Sequence, residues 1–244
     1  MEHFTIRDGW VDNRGVRIHY LESNRDASTS PVPVVYIPGA FGLAESFLRE
    51  MSALAPRRSI SIDLRGRGKS DAPETGYSFH HNVSDIQTVV DTLQLNHFCL
   101  TGFSVGVAYA VGYAYRHPDR ITGLILIDYP ARYPRFPSNW VERWFSGPSF
   151  KGNLQAAEQL QRESADIQLW DKLDTITCPV LVLRGGRPDA LLGAEQAERF
   201  RQHLRDVEVV VFEDSGHNVS EPDFERFIGT MKKFLERLDP LRAP

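Results

Sequence analysis

Cysteine is scarce in this sequence of 244 residues, which contains only Cys99 and Cys178. Both lie in apolar runs, so we expect buried free thiols and no disulfide framework. No apolar run approaches the roughly 18 residues that a membrane-spanning helix needs. The first ten residues also lack the basic region and apolar stretch of a signal peptide. We therefore expect a cytoplasmic protein with no membrane partner.

An excess of basic residues is missing as well, since the formal net charge is −4 and the pI is about 6.1. Nucleic-acid binding favours a basic patch, so no nucleic-acid partner is expected. Internal repeats and low-complexity segments are absent from the sequence. Hydrophobic residues make up 41% and charged residues 25%, which is typical of a globular protein with a sizeable core.

Strand-like and helix-like segments alternate along most of the chain. Residues 3–12 and 15–23 alternate in polarity and predict an antiparallel pair at a sheet edge. Short apolar runs predict six buried strands, at residues 32–37, 59–62, 98–101, 123–127, 180–183 and 207–212. Helical spacing of apolar or small residues predicts five helices, at residues 44–54, 83–95, 104–117, 194–204 and 221–238. This alternation predicts a mostly parallel sheet with helices on both faces.

One segment interrupts the alternation. Residues 129–174 separate two predicted strands and are rich in proline and in large aromatic residues. We expect an insertion over the carboxyl edge of the sheet.

The motif G-x-S-x-G occurs at residues 102–106. It follows the predicted strand 98–101 and opens the predicted helix 104–117. A sharp strand-to-helix turn places the serine in a strained conformation, and glycines on both sides relieve the crowding. The positive end of the helix dipole favours negative charge there. Ser104 is therefore the candidate nucleophile, although a serine between glycines can also be a simple helix cap.

With this motif in its context, the chain resembles the α/β-hydrolase family from about residue 10 to about residue 237. Five segments match in order, namely residues 34–42, 63–71, 102–106, 181–195 and 215–222. The resemblance implies a mostly parallel central sheet flanked by helices, formed by residues 1–128 and 175–244. It also implies that residues 129–174 form a small cap. Within residues 63–71, Arg65, Gly66 and Gly68 are interpreted as loop architecture.

A serine hydroxyl needs a base to take its proton, and histidine is the usual base. The resemblance assigns this role to His217, in the sequence Asp-Ser-Gly-His after the last predicted strand. The base needs a carboxylate to hold its tautomer. Asp189 is the expected acid because it follows the strand 180–183 and gives the family order Ser, Asp, His. Asp128, at the end of the strand before, is the alternative.

Acyl transfer also needs two backbone N–H groups that point at the developing oxyanion. One is expected from Val105, which follows the nucleophile. By position in the family the other comes from Ala40, with Phe41 as the alternative donor. Pro38 replaces the histidine that many family members carry in this loop, which leaves the conformation of the loop open.

The expected function is hydrolysis of a small, fairly apolar carboxylic ester or lactone through an acyl-enzyme on Ser104. Phe41, Trp140 and Trp144 are the expected substrate-binding residues, and a small-molecule substrate is the expected partner. Neither a cofactor nor a metal is expected. An amide, a thioester or a carbon–carbon bond is an alternative target for the same triad. A small-molecule receptor built on a hydrolase scaffold is the alternative of another class.

Overall fold

A computed structural model of the protein describes residues 4–24, 31–145, 147, 150 and 152–241. The strands in this part of the chain are β1 Ile6–Asn13, β2 Val16–Ser23, β3 Val34–Ile37, β4 Ser59–Ile62, β5 Phe98–Phe103, β6 Ile121–Ile127, β7 Arg132–Tyr133, β8 Ile167–Gln168, β9 Val180–Gly185 and β10 Val207–Phe212. The α-helices are α1 Leu48–Ala53, α2 Phe79–Thr92, α3 Gly106–Ala114, α4 Trp140–Phe145, α5 Leu154–Arg162, α6 Ala194–His203 and α7 Phe224–Leu238. Short 3-10 helices cover Ala44–Phe47, Pro118–Arg120, Trp170–Thr175 and Asp239–Leu241.

Eight of these strands form one sheet in the order β1-β2-β4-β3-β5-β6-β9-β10. β1 pairs antiparallel with β2, and β2 pairs antiparallel with β4. Every further pairing, from β4 across to β10, is parallel. This confirms the predicted mostly parallel sheet. The carboxyl ends of its parallel strands therefore meet at one edge, where side chains distant in sequence come together.

Helices cover both faces of the sheet. α2, α3 and α6 bury apolar side chains against one face, and α1 and α7 against the other. The strands β3, β4 and β6 are buried along their whole length, as predicted, although β4 alternates serine with isoleucine. β10 was also expected to be a buried strand, but it lies at the sheet edge and its central valines are only half-buried.

Several helix boundaries differ from the sequence prediction. Helix α3 is shorter than the expected 104–117, and α7 begins at Phe224, three residues after its expected start. The expected helix over residues 44–54 is a 3-10 helix followed by the short helix α1. Helix α2 begins at Phe79, four residues before the expected start, because Phe79 and Asn82 are buried in its first turn. It ends before Gln94, whose φ of 53° lies in the left-handed region and is incompatible with a continuing helix.

The segment between β6 and β9 contains the helices α4 and α5 and the short strands β7 and β8. β7 and β8 pair antiparallel in a small sheet of their own. Because the segment leaves from the carboxyl end of β6, it begins at the edge of the main sheet where the carboxyl ends of the parallel strands meet.

Helix α3 approaches the end of β3 so closely that its first residue has to be glycine. A β-carbon on Gly106 would lie 2.4 Å from the carbonyl oxygen of Ile37 and 2.6 Å from that of Pro38. We expect Gly106→Ala to lower the free energy of unfolding by about 1–3 kcal/mol, because rigid backbone has to move. Urea denaturation of purified wild-type and variant protein measures this change.

Gly229 in α7 provides the control, since no described atom outside its chain neighbours and its own helix backbone lies within 4 Å of the position that a β-carbon would take there. Gly229→Ala is expected to raise the free energy of unfolding by about 0.5–1 kcal/mol through helix propensity alone. Changes of the same sign and size in both variants would contradict the close approach at Gly106.

Candidate active site

Ser104 lies at a sharp turn between β5 and α3. Its φ of 55° falls in the left-handed region, which is unfavourable for a residue with a β-carbon. The turn is held because the Ser104 N–H donates to the carbonyl oxygen of Ile127 at 3.0 Å, while the N–H of Val107 donates to the Ser104 carbonyl at 2.9 Å. The strained strand-to-helix turn predicted from the sequence is therefore present.

The loop that follows β3 passes directly beside this serine. A β-carbon on Gly39 would lie 3.1 Å from Cβ and 3.6 Å from Oγ of Ser104. The N–H groups of Ala40, Phe41 and Val105 donate to no hydrogen bond within the described ranges. Both expected oxyanion donors are thus unengaged, and Phe41 stays open as the alternative to Ala40.

His217 lies in the loop after β10, and its ring lies against the turn at Ser104. Its ring stacks on Phe103, with a distance of 4.8 Å between ring centroids and an angle of 23° between the ring planes. Since Phe103 directly precedes Ser104, this stacking places the imidazole at the turn. The Nδ1 atom lies 2.8 Å from Oδ2 of Asp128. Because a carboxylate only accepts hydrogen bonds, Nδ1 is the donor and Nε2 is left as the ring nitrogen able to take a proton.

Asp128 follows β6 and has no exposed side-chain surface. Burial of a carboxylate is costly unless hydrogen bonds compensate for the lost water. Its Oδ2 also accepts the N–H of Leu191 at 2.8 Å, and its Oδ1 accepts the N–H groups of Gly185 and Leu192, both at 3.3 Å. Three backbone donors and the imidazole therefore hold this carboxylate in one position.

The His217 ring pairs with Asp128 and not with Asp189, the expected acid, and the assignment of the triad acid itself stays a prediction. The Asp189 side chain is 68% exposed, and its ion-pair partner is the equally exposed Arg187, with Nε 3.8 Å from Oδ1. The carboxylate packs against the backbone of Gly216, beside the histidine loop, but the His217 ring faces Asp128.

The strand order explains why Asp128, and not Asp189, lies beside the imidazole of His217. β6 and β9 are neighbours, so Asp128 and the turn after β9 arrive at the same place. The left-handed backbone of Asp128, with φ of 49°, occurs in the chain directly after β6. A signal was available in the sequence, because an aspartate that ends a wholly apolar strand must find buried hydrogen-bond partners.

Aromatic side chains from the loop after β3 and from the inserted segment form one cluster. The Phe41 ring lies 6.3 Å from Trp140, 4.8 Å from Phe145 and 5.5 Å from Phe150, measured between centroids. Trp140 also stacks on Phe136 at 3.9 Å. Two of the three expected substrate-binding residues, Phe41 and Trp140, are thus in the same apolar surface.

Trp144 does not belong to this cluster, and its expected contact with the substrate stays a prediction that the cluster does not support. It is 63% exposed, and its described partner is the guanidinium of Arg143, 5.4 Å from the ring centroid. Helix α4 places Trp140 and Trp144 one turn apart, but only Trp140 and Phe145 turn toward Phe41.

Sequence analysis did not single out Arg67, although it contacts the predicted oxyanion loop. The residue is 2% exposed, and its Nε donates to the carbonyl oxygen of Ala40 at 2.8 Å. The available signal was a second arginine between the two glycines of residues 63–71, where a charged side chain has to find a partner inside the protein.

The described part of the chain gives less support to a cysteine nucleophile or to a metal site than to a serine nucleophile. Burial raises the pKa of the Cys178 thiol to about 12 and also raises the pKa of Cys99, so neither thiol is activated as a nucleophile. The described residues include no group of three or more histidine, cysteine, aspartate or glutamate side chains arranged to hold a metal ion. They also include no helix that is both long and apolar enough to cross a membrane.

The chain is similar to known hydrolases in sequence. It is 25% identical to AB hydrolase superfamily protein YisY from Bacillus subtilis, over 83% of this chain and 91% of that protein. It is 27% identical to a 2-(acetamidomethylene)succinate hydrolase from Mesorhizobium japonicum, over 73% of this chain and 78% of that protein. These relatives span most of the chain, including the residues around Ser104.

The fold has counterparts among solved structures and family models. An esterase from Exiguobacterium antarcticum superimposes with a TM-score of 0.77 at 24% identity, covering 94% of this chain and all of that one. An esterase from Rhodococcus gives a TM-score of 0.79 at 20% identity, covering 96% and 99%. The model of the Alpha/beta hydrolase family matches residues 34–229. With this match over most of its length, the chain belongs to the alpha/beta hydrolase family.

Proposed function

We propose that the protein is a serine hydrolase that cleaves a small, fairly apolar carboxylic ester or lactone. The observation that carries the proposal is the contact of His217 with a fully buried carboxylate directly beside the strained serine turn. Strain at one non-glycine residue costs free energy and persists where function requires it. A histidine fixed by a carboxylate and stacked over that turn has the arrangement of a general base.

In the proposed reaction, Oγ of Ser104 attacks the carbonyl carbon of the ester and His217 takes the hydroxyl proton at Nε2. The negative charge moves to the carbonyl oxygen, which accepts hydrogen bonds from the N–H groups of Val105 and Ala40. Collapse breaks the bond to the alkoxy group, which leaves with the proton from His217. Water then attacks the acyl-enzyme with the same base, and the carboxylic acid departs.

Asp128 is the proposed third member of the triad, in place of Asp189. As His217 becomes an imidazolium, a buried carboxylate at 2.8 Å stabilises the new charge more than an exposed one would. The three backbone N–H groups on the Asp128 carboxylate hold it in place, and its proposed role is to orient and stabilise the imidazolium without taking the proton itself.

Residues 129–174 are the proposed cap, and the cluster around Phe41 is the proposed surface for the apolar part of the substrate. Phe41 joins the cap to the loop that holds the expected oxyanion donor. Because Phe41 lies two residues after Gly39, which passes beside Ser104, these rings are the proposed contact for an apolar acyl or alkoxy group bound at the serine. This favours esters and lactones with short apolar groups over long or highly charged ones.

A fluorophosphonate probe tests the nucleophile. We expect the probe to label the wild-type protein covalently and to leave Ser104→Ala unlabelled, with the adduct located by mass spectrometry. Turnover of p-nitrophenyl acetate should fall by about 10⁶-fold in this variant, the loss seen when the nucleophile of a triad is removed. Circular-dichroism melting shows whether the variant is folded. If folded Ser104→Ala is labelled at another residue, Ser104 is not the nucleophile and the proposal is rejected. A single slow turnover by the wild type would instead favour the alternative of a small-molecule receptor.

The triad acid is tested with a matched pair of isosteric variants. Asp128→Asn is expected to lower kcat by about 10⁴-fold, because an amide neither stabilises the imidazolium nor holds the correct tautomer. Asp189→Asn should keep kcat within about twofold, since its carboxylate faces solvent and Arg187. Hydrolysis of p-nitrophenyl acetate at saturating substrate measures both values.

The ¹⁵N spectrum of His217 separates this role from a loss of folding. The wild type should show the tautomer protonated at Nδ1, and Asp189→Asn should keep it, whereas folded Asp128→Asn should lose it. A larger loss of kcat in Asp189→Asn than in Asp128→Asn would return the acid to Asp189.

The cap predicts a dependence on acyl chain length. Each methylene group buried against the aromatic cluster contributes about 0.8 kcal/mol, or roughly fourfold in kcat/KM if the transition state gains it. We expect kcat/KM for p-nitrophenyl esters to rise over the first few acyl carbons and then to level or fall. Trp140→Ala should flatten this rise, and exposed Trp144→Ala should preserve it. If both variants keep the wild-type profile, the cluster is not the acyl site, and Phe41→Ala becomes the next variant to measure.

A further inference from the structure

The predicted oxyanion loop makes few contacts of its own that would fix its position. Within the loop, the N–H of Gly42 donates to the carbonyl oxygen of Gly39 at 3.2 Å. Pro38 has no N–H to donate, and Ala40 has no polar side-chain atom. The position of the Ala40 peptide therefore depends on groups outside the loop.

Those groups come from the loop of residues 63–71, which holds the oxyanion loop at two points. Nε of Arg67 donates to the carbonyl oxygen of Ala40 at 2.8 Å. Oδ1 of Asp63 accepts the N–H of Ala44 at 2.6 Å. The Arg67 guanidinium also lies 5.2 Å from the centroid of the Phe41 ring. The loop of residues 63–71 therefore holds both ends of residues 40–44, the segment that includes the expected oxyanion donor Ala40.

Arg67 is itself fixed in one orientation. Its Nη1 donates to the carbonyl oxygen of Arg65 at 2.7 Å and to Oδ1 of Asn82 at 2.9 Å. The amide nitrogen of Asn82 in turn donates to the carbonyl oxygens of Tyr77 and Ser78 at 2.9 Å. Because the guanidinium is planar and its donors form a rigid fork, these bonds determine the direction of Nε.

Two physical effects follow at Ala40. A fixed carbonyl oxygen fixes the plane of the peptide that joins Ala40 to Phe41, since the peptide bond is planar. The N–H in that plane belongs to Phe41, the alternative oxyanion donor, while the N–H of Ala40 lies in the preceding peptide and is held through the same Cα atom. A charged donor also polarises the amide that it binds, and a buried cation stabilises negative charge that develops nearby. Both effects matter most in the transition state, when the substrate oxygen becomes an anion.

We infer that Arg67 is a positioning residue, which organises the oxyanion hole by holding the carbonyl of Ala40. The inference rests on the proposed serine-hydrolase function. It assigns Arg67 no contact with the substrate, so its removal should weaken transition-state stabilisation and leave binding of the ground state almost unchanged.

The experiment compares Arg67→Met, Arg67→Lys and the control Arg65→Lys. Methionine removes every donor and keeps an apolar stem, while lysine keeps the charge and some ability to donate. Arg65 lies two residues away and is also buried, but its side chain binds Asp85 and the carbonyl oxygen of Gly76 and does not contact Ala40. Arg65→Lys therefore reports the effect of loosening the same loop.

The measurements are kcat and KM for p-nitrophenyl acetate, Ki for an alkyl trifluoromethyl ketone, and the melting temperature. The ketone forms a tetrahedral adduct on serine and presents an oxyanion to the same donors. Arg67→Met should lower kcat and raise Ki together by about 10- to 100-fold, with KM changed less than about threefold. Arg67→Lys should lie between Arg67→Met and the wild type. Arg65→Lys should keep kcat and Ki within about threefold even if its melting temperature falls.

Results of two kinds would overturn the inference. One is a folded Arg67 variant whose kcat and Ki match those of Arg65→Lys. The other is a rise in KM with kcat unchanged, which would mean that Arg67 contacts the substrate. If Arg67→Met does not fold, Arg67→Lys decides the question by the same criteria. A wild-type protein that neither reacts with the fluorophosphonate nor hydrolyses esters would contradict the proposed function instead, before any Arg67 variant is measured.

Discussion

The close approach of β5, α3 and the end of β3 is the constraint on which the rest of the site depends. The left-handed backbone of Ser104 is held between β5 and α3 by its hydrogen bonds to Ile127 and Val107. Gly106 permits that approach on one side, and Gly39 permits the neighbouring loop to pass beside the serine. Packing of the core thus holds the strained backbone of Ser104. As a result, the serine hydroxyl lies at the carboxyl edge of the sheet.

Electrostatics at this edge follow from the parallel strand order. β6 and β9 end side by side, so a carboxylate after one strand meets the backbone N–H groups of the turn after the other. This arrangement gives the buried Asp128 carboxylate backbone hydrogen-bond donors in place of water, at a distance of 2.8 Å from the imidazole of His217. The same strand order leaves Asp189 on the outer side of the turn, where solvent surrounds it.

Two loops cooperate on the other side of the serine. The loop after β3 carries the free N–H groups and the aromatic side chain of Phe41, and the loop after β4 carries the buried Arg67 that holds it. Phe41 then links this arrangement to Trp140 in the inserted segment. Phe41 therefore contacts both Arg67, which supports the proposed oxyanion hole, and the rings of the proposed acyl surface. These contacts link the position of the proposed cap to that of the loop after β3.

The sequence determined the alternating elements, the mostly parallel sheet and the turn at Ser104, because these depend on local patterns of apolar residues and glycine. The family resemblance in the sequence also predicted His217 as the candidate base. Only the tertiary structure placed Asp128, and not Asp189, against His217. Only it separated Trp140 from Trp144 and showed the contact of Arg67 with Ala40. These choices depend on which side chains meet across strands and loops that are far apart in sequence, and on which of them are buried. A single sequence carries the spacing of residues along the chain, but not the direction in which each side chain turns once the sheet has brought its strand ends together.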